Sequence, residues 1–211
     1  MQKDRVPAIL GALKGRYPRG ERPWAKRNNP FRTLIGTILS AQTTDAQVDL
    51  VTPALFRRYP SAAALAKARP AEVRRIIKSV GLHQAKAKNI IAAARALIER
   101  FDGKVPAQRD ELTGLAGVGR KTANVVLIKS FGAPAMPVDT HVFRVANRIG
   151  IGKGKTPEQV ERALTKIIPQ RILGAAHFWL IHHGRTICTA RKPKCVECPV
   201  SKWCDYFRRS T

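Results

Sequence analysis

Apolar residues recur at intervals of three and four along almost the whole chain, a period that favours amphipathic helices over strands. The clearest segments with this period are 31–39, 73–80, 90–98 and 160–167. Asn29 is a candidate N-cap before Pro30, and Thr156 begins a candidate capping box. The second segment follows Pro70 and is predicted to stop at Gly81. Strand patterns are almost absent, so the sequence predicts an all-α fold connected by short turns.

The chain is strongly basic, with 39 Lys and Arg against 14 Asp and Glu and a formal net charge of +25. The excess is not confined to a tail, because residues 141–211 hold 14 basic and 4 acidic residues and the preceding part holds 25 and 10. Solubility alone needs a net charge of only about 2 to 8 on a small domain. The charge therefore indicates a polyanionic partner and favours nucleic acid over an anionic membrane surface.

No stretch approaches the ~18 apolar residues that a membrane helix needs. The opening MQKDRVPAIL lacks the apolar core of a signal peptide. We therefore expect a soluble, cytoplasmic protein without a membrane partner.

All four cysteines lie within the last 24 residues, so they cannot form a disulfide framework for the whole fold. They are Cys188, Cys195, Cys198 and Cys204, in the pattern C-x6-C-x2-C-x5-C. In a reducing compartment such clustering favours a metal or iron–sulfur site. The spacing matches neither the ferredoxin patterns nor two paired zinc knuckles, and by itself it leaves zinc and an iron–sulfur cluster open.

The segment LTGLAGVGRKTANVVLIKSFG, residues 112–132, predicts two helices joined by a tight turn. The first helix is expected over about 108–115 and the second from Arg120 onward. Two glycines in the turn can adopt the positive φ that bulkier residues avoid. Backbone N–H groups at such a helix start can bind a phosphate without reading sequence, although an ordinary helix connection has the same pattern. The candidate phosphate-binding residues are Gly117, Val118 and Gly119.

Two side chains near this turn are candidates for catalysis. Lys121 lies in the first turn of the second helix, where the helix dipole and nearby cations favour a neutral, nucleophilic amine. Most lysines in so basic a chain contact phosphates, and that alternative stays open here. Asp139 lies at the start of the next helix in MPVDTHVFRV, where it is either a plain N-cap or a carboxylate that opposes positive charge on a reacting sugar.

The segments LAGVGRKTANVV and VDTHVFRV together resemble the helix-hairpin-helix DNA glycosylase superfamily, and within it the endonuclease III family. The resemblance extends to LSAQTTD at 39–45, VGLHQAKAKNI at 80–90 and HHGRTICTARKPKC at 182–195. It implies a bilobal all-α fold with DNA crossing the cleft between the lobes. One lobe, of six helices, would span 23–132 and contain the hairpin at about 108–131. The other would combine 1–22 with 133–211 and carry the cluster loop at 188–204.

The resemblance also assigns the site residues. It implies that Lys121 is the catalytic nucleophile, that Asp139 is the catalytic aspartate, and that the four cysteines bind a 4Fe-4S cluster. Gln42 would enter the space left by an extruded nucleotide and Leu82 would act as an apolar wedge. Without the resemblance, Gln42 is a polar residue at a helix end and Leu82 an apolar contact after a helix.

Further DNA contacts are expected from basic and polar residues near these motifs. The loop TARKPK presents cations that either contact phosphates or are simply solvated. These candidates are His83, Arg191, Lys192 and Lys194. The remaining histidines, His141, His177, His182 and His183, are predicted to be structural.

These features predict a bifunctional glycosylase and abasic-site lyase that acts on oxidised pyrimidines in duplex DNA. We expect a prokaryotic, nucleoid-associated monomer that needs no nucleotide cofactor. One alternative is an adenine or mismatch glycosylase, although such enzymes generally lack a lysine at the position of Lys121. Another is a non-catalytic helix-hairpin-helix protein. Ala116 stands where the family usually has proline, so the turn lacks a rigid residue and the hairpin is expected to be slightly looser. Thr113 stands where some relatives have glutamate near the base pocket, which leaves the lesion preference open.

Overall fold

The computed structural model describes residues 2–18 and 29–210, and among these residues there are helices and no strands. The α-helices are α1 (Gln2–Arg16), α2 (Pro30–Leu39), α3 (Asp45–Arg58), α4 (Ala62–Ala66), α5 (Pro70–Ile76), α6 (His83–Phe101), α7 (Arg109–Thr113), α8 (Arg120–Phe131), α9 (Thr140–Ile149), α10 (Pro157–Ile167), α11 (Leu173–Thr186) and α12 (Phe207–Ser210). Short 3-10 helices occupy Gln170–Ile172 and Ser201–Trp203. The predicted all-α fold is confirmed.

The helix starts follow the capping residues in the sequence. Asn29 caps α2 by accepting a hydrogen bond at Oδ1 from the Arg32 amide, at 3.0 Å. Thr156 caps α10 by accepting one from the Gln159 amide, at 3.3 Å. The Gln159 side chain accepts in turn from the amide of Lys155, one residue before the cap, at 2.7 Å. Both predicted caps are thus confirmed, with the return bond of the capping box shifted by one residue.

The helix that starts at Pro70 is shorter than predicted. α5 ends at Ile76, and Ile77 leaves helical geometry with φ −99° and ψ 20°. Ile77 and Val80 are nevertheless buried. The prediction that this helix continues to Gly81 is therefore wrong. The spacing of apolar residues indicates which side chains are buried, and a turn can bury the same side chains as a helix.

The chain divides into two compact units, and the first is Arg27–Gly132. The predicted boundary at residues 22 and 23 lies outside the described residues. In the first unit α6 packs against α2, α4 and α5, while α8 packs against α2 and α7. Fully buried leucines and isoleucines of these helices form its interior, among them Leu34, Leu39, Ile90, Leu97 and Leu112.

The second unit combines Met1–Lys26 with Ala133–Thr211. α11 packs against α1 and α9, and α10 packs against α9. The apolar core of this unit includes Cys188 and Cys204 beside aliphatic side chains such as Leu13 and Val145. Two of the four clustered cysteines are therefore built into a packed core.

Within residues 2–18 and 29–210, no helix has the length and apolar character that crossing a membrane requires.

Candidate functional site

The hairpin between α7 and α8 depends on one glycine. Gly117 has φ +77°, a conformation that side chains rarely adopt. A Cβ atom at this position would lie 3.0 Å from Cβ of Asn89 in α6 and 3.2 Å from Cγ2 of Ile38 in α2. Glycine thus satisfies both the turn and a close approach, and the hairpin is held against α2 and α6.

A partly buried hydrogen bond ties the two helices of the hairpin together. Nε of Arg109, the first residue of α7, donates to Oδ1 of Asn124 in α8 at 2.9 Å. Asn124 is fully buried, with 0% of its surface exposed. Sequence reasoning missed this pair, although a lone asparagine within the apolar run TANVVL was the available signal.

Lys121 lies in the first turn of α8 with an exposed side chain, directly after the hairpin. Of the three candidate phosphate-binding residues, Val118 is buried and its amide donates to the Leu115 carbonyl at 3.1 Å. This amide is hydrogen-bonded within the turn, and a phosphate contact by Val118 stays a prediction. Gly119 caps α8 in extended geometry, so the first-turn amides of α8 are the better phosphate donors.

Asp139 is the N-cap of α9. Its Oδ1 accepts a hydrogen bond from the Val142 amide at 2.8 Å, and its side chain is half-buried. The capping role is thus present in the structure, and it leaves Oδ2 as the oxygen that can face a substrate. Lys121 belongs to the first unit and Asp139 to the second.

The structure brings Gln42 and Leu82 together in the first unit. Both are exposed non-glycine residues with left-handed backbones, at φ 52° and φ 57°. A Cβ atom on Gly81 would lie 3.4 Å from the Gln42 carbonyl oxygen, so the two loops touch. Leu82 is 61% exposed, which argues against the alternative of an apolar contact at a helix end. His83 follows as the first, partly exposed residue of α6.

The four cysteines line one cavity of the second unit. Cys188 and Cys204 are buried, and Cys195 and Cys198 are partly exposed. Burial raises the pKa of Cys198 to about 11. Because metals bind the thiolate, loading this site must release protons.

Four cysteine thiols line this one cavity, and that is the ligand set a 4Fe-4S cluster takes. A tetrahedral zinc site can also take four cysteines, so the lining by itself fits both candidate occupants.

Two arginines of α9 and a histidine of α11 surround this cysteine site. Arg148 approaches Cys188 Sγ at 3.7 Å and donates to the carbonyls of Thr189 and Ala190 at 2.7 and 2.8 Å. Arg144 donates to the Cys188 carbonyl at 3.0 Å. His183 lies 3.6 Å from Cys198 Sγ through Nε2. Sequence reasoning missed the two arginines, since nothing local links α9 to a cysteine some 40 residues away.

The segment after Cys204 is anchored by an ion pair. Nη1 of Arg5 lies 2.8 Å from Oδ1 of Asp205 and also donates to the Trp203 carbonyl at 3.0 Å. The hydrogen bond from Arg5 holds the pKa of Asp205 far below its ordinary value. α1 therefore fixes the chain beside the last cysteine.

The basic loop between Cys188 and Cys195 exposes its cations. Arg191, Lys192 and Lys194 all have exposed side chains. Two hydrogen bonds hold the loop backbone. The Lys194 amide donates to the Ile187 carbonyl at 3.0 Å, and the Thr189 hydroxyl donates to the Lys192 carbonyl at 2.7 Å. These three charges are therefore presented by an ordered backbone.

Comparison with known proteins identifies the family. Residues 35–170 match the HhH-GPD superfamily of base excision DNA repair proteins. The chain is 52% identical over 179 residues to endonuclease III of Rickettsia conorii, covering 85% of each chain. It is 46% identical over 208 residues to endonuclease III of Escherichia coli K12, covering 98% of this chain and 97% of that one. The chain belongs to the endonuclease III family.

Membership of the endonuclease III family extends to the cysteine site. Residues 188–204 match the iron-sulfur binding domain of endonuclease III. A solved structure of a trapped endonuclease III–DNA covalent intermediate has a TM-score of 0.92 at 38% identity and covers 100% of this chain and 99% of that chain. With the four cysteines lining one cavity, these matches establish the site as that of a 4Fe-4S cluster, as the resemblance implied.

Proposed function

We propose that Lys121 is the nucleophile of a bifunctional DNA glycosylase and abasic-site lyase that excises oxidised pyrimidines from duplex DNA in base excision repair. The assignment of this activity rests on membership of the endonuclease III family. Lys121 is assigned as the nucleophile because it is an exposed lysine in the first turn of α8, directly after the hairpin glycines. We expect the enzyme to act as a monomer without a nucleotide cofactor.

The proposed reaction uses one amine for two bond cleavages. Nζ of Lys121 attacks C1′ of the extruded nucleotide, and the base leaves with the electron pair of its glycosidic bond and takes up a proton. The sugar opens to a Schiff base, and loss of a proton from C2′ expels the 3′ phosphate. Water then hydrolyses the imine and frees the lysine. Asp139 opposes the positive charge that develops on the sugar and relays the protons of the lysine.

The other site residues bind DNA in this proposal. The first-turn amides of α8, with Gly117 and Gly119 shaping the turn, hold a phosphate. The four cysteines would hold the cluster and so fix the loop between them, from which Arg191, Lys192 and Lys194 contact the DNA backbone. Gln42 and Leu82 are assigned to the space left by the extruded nucleotide, and His83 is a further DNA contact.

Borohydride trapping tests the nucleophile. Wild-type protein incubated with an oxidised-pyrimidine duplex and borohydride is expected to give a covalent protein–DNA adduct, because the reductant fixes the Schiff base. Lys121→Ala is expected to give none and to lose strand cleavage. The matched control is Lys129→Ala, in the last turn of the same helix, which is expected to trap normally. Adduct at wild-type yield in Lys121→Ala would show that another amine reacts.

A further inference from the structure

Lys86 is a buried lysine that no step above uses. It lies in the first turn of α6 with only 4% of its surface exposed. Its Nζ donates to the Leu39 carbonyl at 2.8 Å, to the Ala41 carbonyl at 2.5 Å and to Oγ1 of Thr43 at 2.7 Å. All three acceptors belong to the segment that ends α2 and follows it.

The three acceptors match the three N–H groups of a charged ammonium. Burial lowers the pKa of Lys86, since it penalises the charged form. The three oxygens act in the opposite direction because they stabilise that form. We take the ammonium as the state at neutral pH, because full hydrogen bonding is the condition under which a buried charge is retained.

Lys86 is bonded to both loops that carry exposed left-handed residues. Its side chain holds Ala41 and Thr43, the neighbours of Gln42 on either side. Its backbone amide donates to the Leu82 carbonyl at 3.0 Å. One residue thus fixes the backbone on which Gln42 stands and the turn from which Leu82 projects.

The backbone of these two residues is unusual for their positions. Among the described residues, the third non-glycine residue with positive φ is Asp102, at the C-cap of α6, where a left-handed residue is common. Leu82 instead precedes the first turn of α6, and Gln42 lies in the turn after α2. Strained residues persist where their surroundings hold them, and they concentrate at functional sites.

We propose that Lys86 is a positioning residue that holds Gln42 and Leu82 side by side as one rigid wedge, ready to enter the duplex when the damaged nucleotide is extruded. The proposal rests on the proposed function, in which these two side chains occupy the vacated space. Loops ordered before binding lose less conformational freedom on contact with DNA.

The test compares two substrates of the holoenzyme, in single-turnover borohydride trapping. One substrate is a duplex with an oxidised pyrimidine, whose nucleotide must be extruded from the helix. The other is a single-stranded oligonucleotide with an abasic site, in which extrusion leaves no gap between base pairs. Lys86→Met keeps an unbranched side chain, one atom shorter, and removes its three hydrogen bonds. We expect the rate on the duplex to fall about 100-fold, the loss that a small misplacement can cause, and the rate on the single strand to stay unchanged.

Coupling to the wedge distinguishes positioning from a general structural role. In a Gln42→Ala, Leu82→Ala background, Lys86→Met is expected to lower the duplex rate little further, because the side chains that it positions are gone. Lys86→Arg, which keeps a buried donor, is expected to recover part of the duplex rate. Equal losses on both substrates, or a full additional loss in the wedge-less background, would overturn the proposal.

Thr43→Val extends the test to a substitution that leaves Lys86 in place. It removes one acceptor, at a partly buried position, and is expected to give a smaller loss confined to the duplex. Its matched control is Thr37→Val, where the lost hydroxyl bonds within α2 to the Thr33 carbonyl at 2.7 Å, and both rates should be unchanged. If Lys86→Met does not fold, an unchanged duplex rate in Thr43→Val refutes the proposal. Absence of adduct from wild-type protein on both substrates would instead refute the proposed function.

Discussion

Asp139 illustrates how one side chain can hold a structural and a chemical role that substitution separates. Its Oδ1 caps α9 through the Val142 amide. Asparagine caps a helix about as well as aspartate, whereas alanine at a cap costs about 1 kcal/mol of stability. The carboxylate charge is lost in both variants. The pair Asp139→Asn and Asp139→Ala therefore distinguishes the cap from the charge.

We expect Asp139→Asn to keep the free energy of unfolding of the wild type but to slow base removal by roughly 100-fold to 10,000-fold, the range typical of a positioned acid or base. Asp139→Ala should show the same loss of rate together with lower stability. Single-turnover rates and urea unfolding measure the two effects. Affinity for abasic duplex should stay or increase, since a repulsive carboxylate is gone. A wild-type rate in Asp139→Asn would leave capping as the only role of this residue.

At the scale of the element, contacts on both sides of Ala116 hold the hairpin. Arg109 and Asn124 join α7 to α8, and Gly117 seats the turn against α2 and α6. We expect Ala116→Pro to raise the free energy of unfolding by about 0.4–1 kcal/mol, because proline restricts the unfolded chain.

Gly117→Ala, at the next residue, should have the opposite effect to Ala116→Pro. It should lower the free energy of unfolding by about 1–3 kcal/mol, the cost of a strained backbone. Its Cβ would also approach Asn89 at 3.0 Å. Urea unfolding followed by circular dichroism measures both variants. A destabilised Ala116→Pro would mean that the backbone at this position is incompatible with proline.

For the whole molecule, the charge of +25 is spread over both parts of the chain and should dominate DNA affinity. Each neutralised phosphate releases counterions, so the logarithm of the binding constant should fall steeply and linearly with that of salt concentration. Changing Lys192 and Lys194 to alanine should make this slope less steep by about 2, with the same effect on every sequence.

The matched control for this double variant removes two exposed cations from α10, Arg162 and Lys166, neither of which lies in the cluster loop. Its slope should change less than that of the loop variant. Fluorescence anisotropy over a salt series provides the measurement. Equal changes in both variants would mean that the loop contributes only its general charge.

Sequence alone determined the features that depend on neighbouring residues. Asn29 and Thr156 start helices because their side chains reach amides three residues on, and that geometry is local. Gly117 adopts a left-handed backbone because glycine has no Cβ atom. The four cysteines and Lys121 carry a family pattern of fixed spacing, and comparison with known proteins confirms that family.

Tertiary structure decided what depends on residues far apart in the chain. Nothing local separates Lys86 from the other lysines of so basic a protein, and its role follows from acceptors more than 40 residues earlier. The end of α5 at Ile76 and the contacts of Arg148 with the cysteine loop have the same origin. A short-range pattern specifies which side chains are to be buried, whereas the fold specifies what they are buried against, because close packing joins segments that the sequence does not place together.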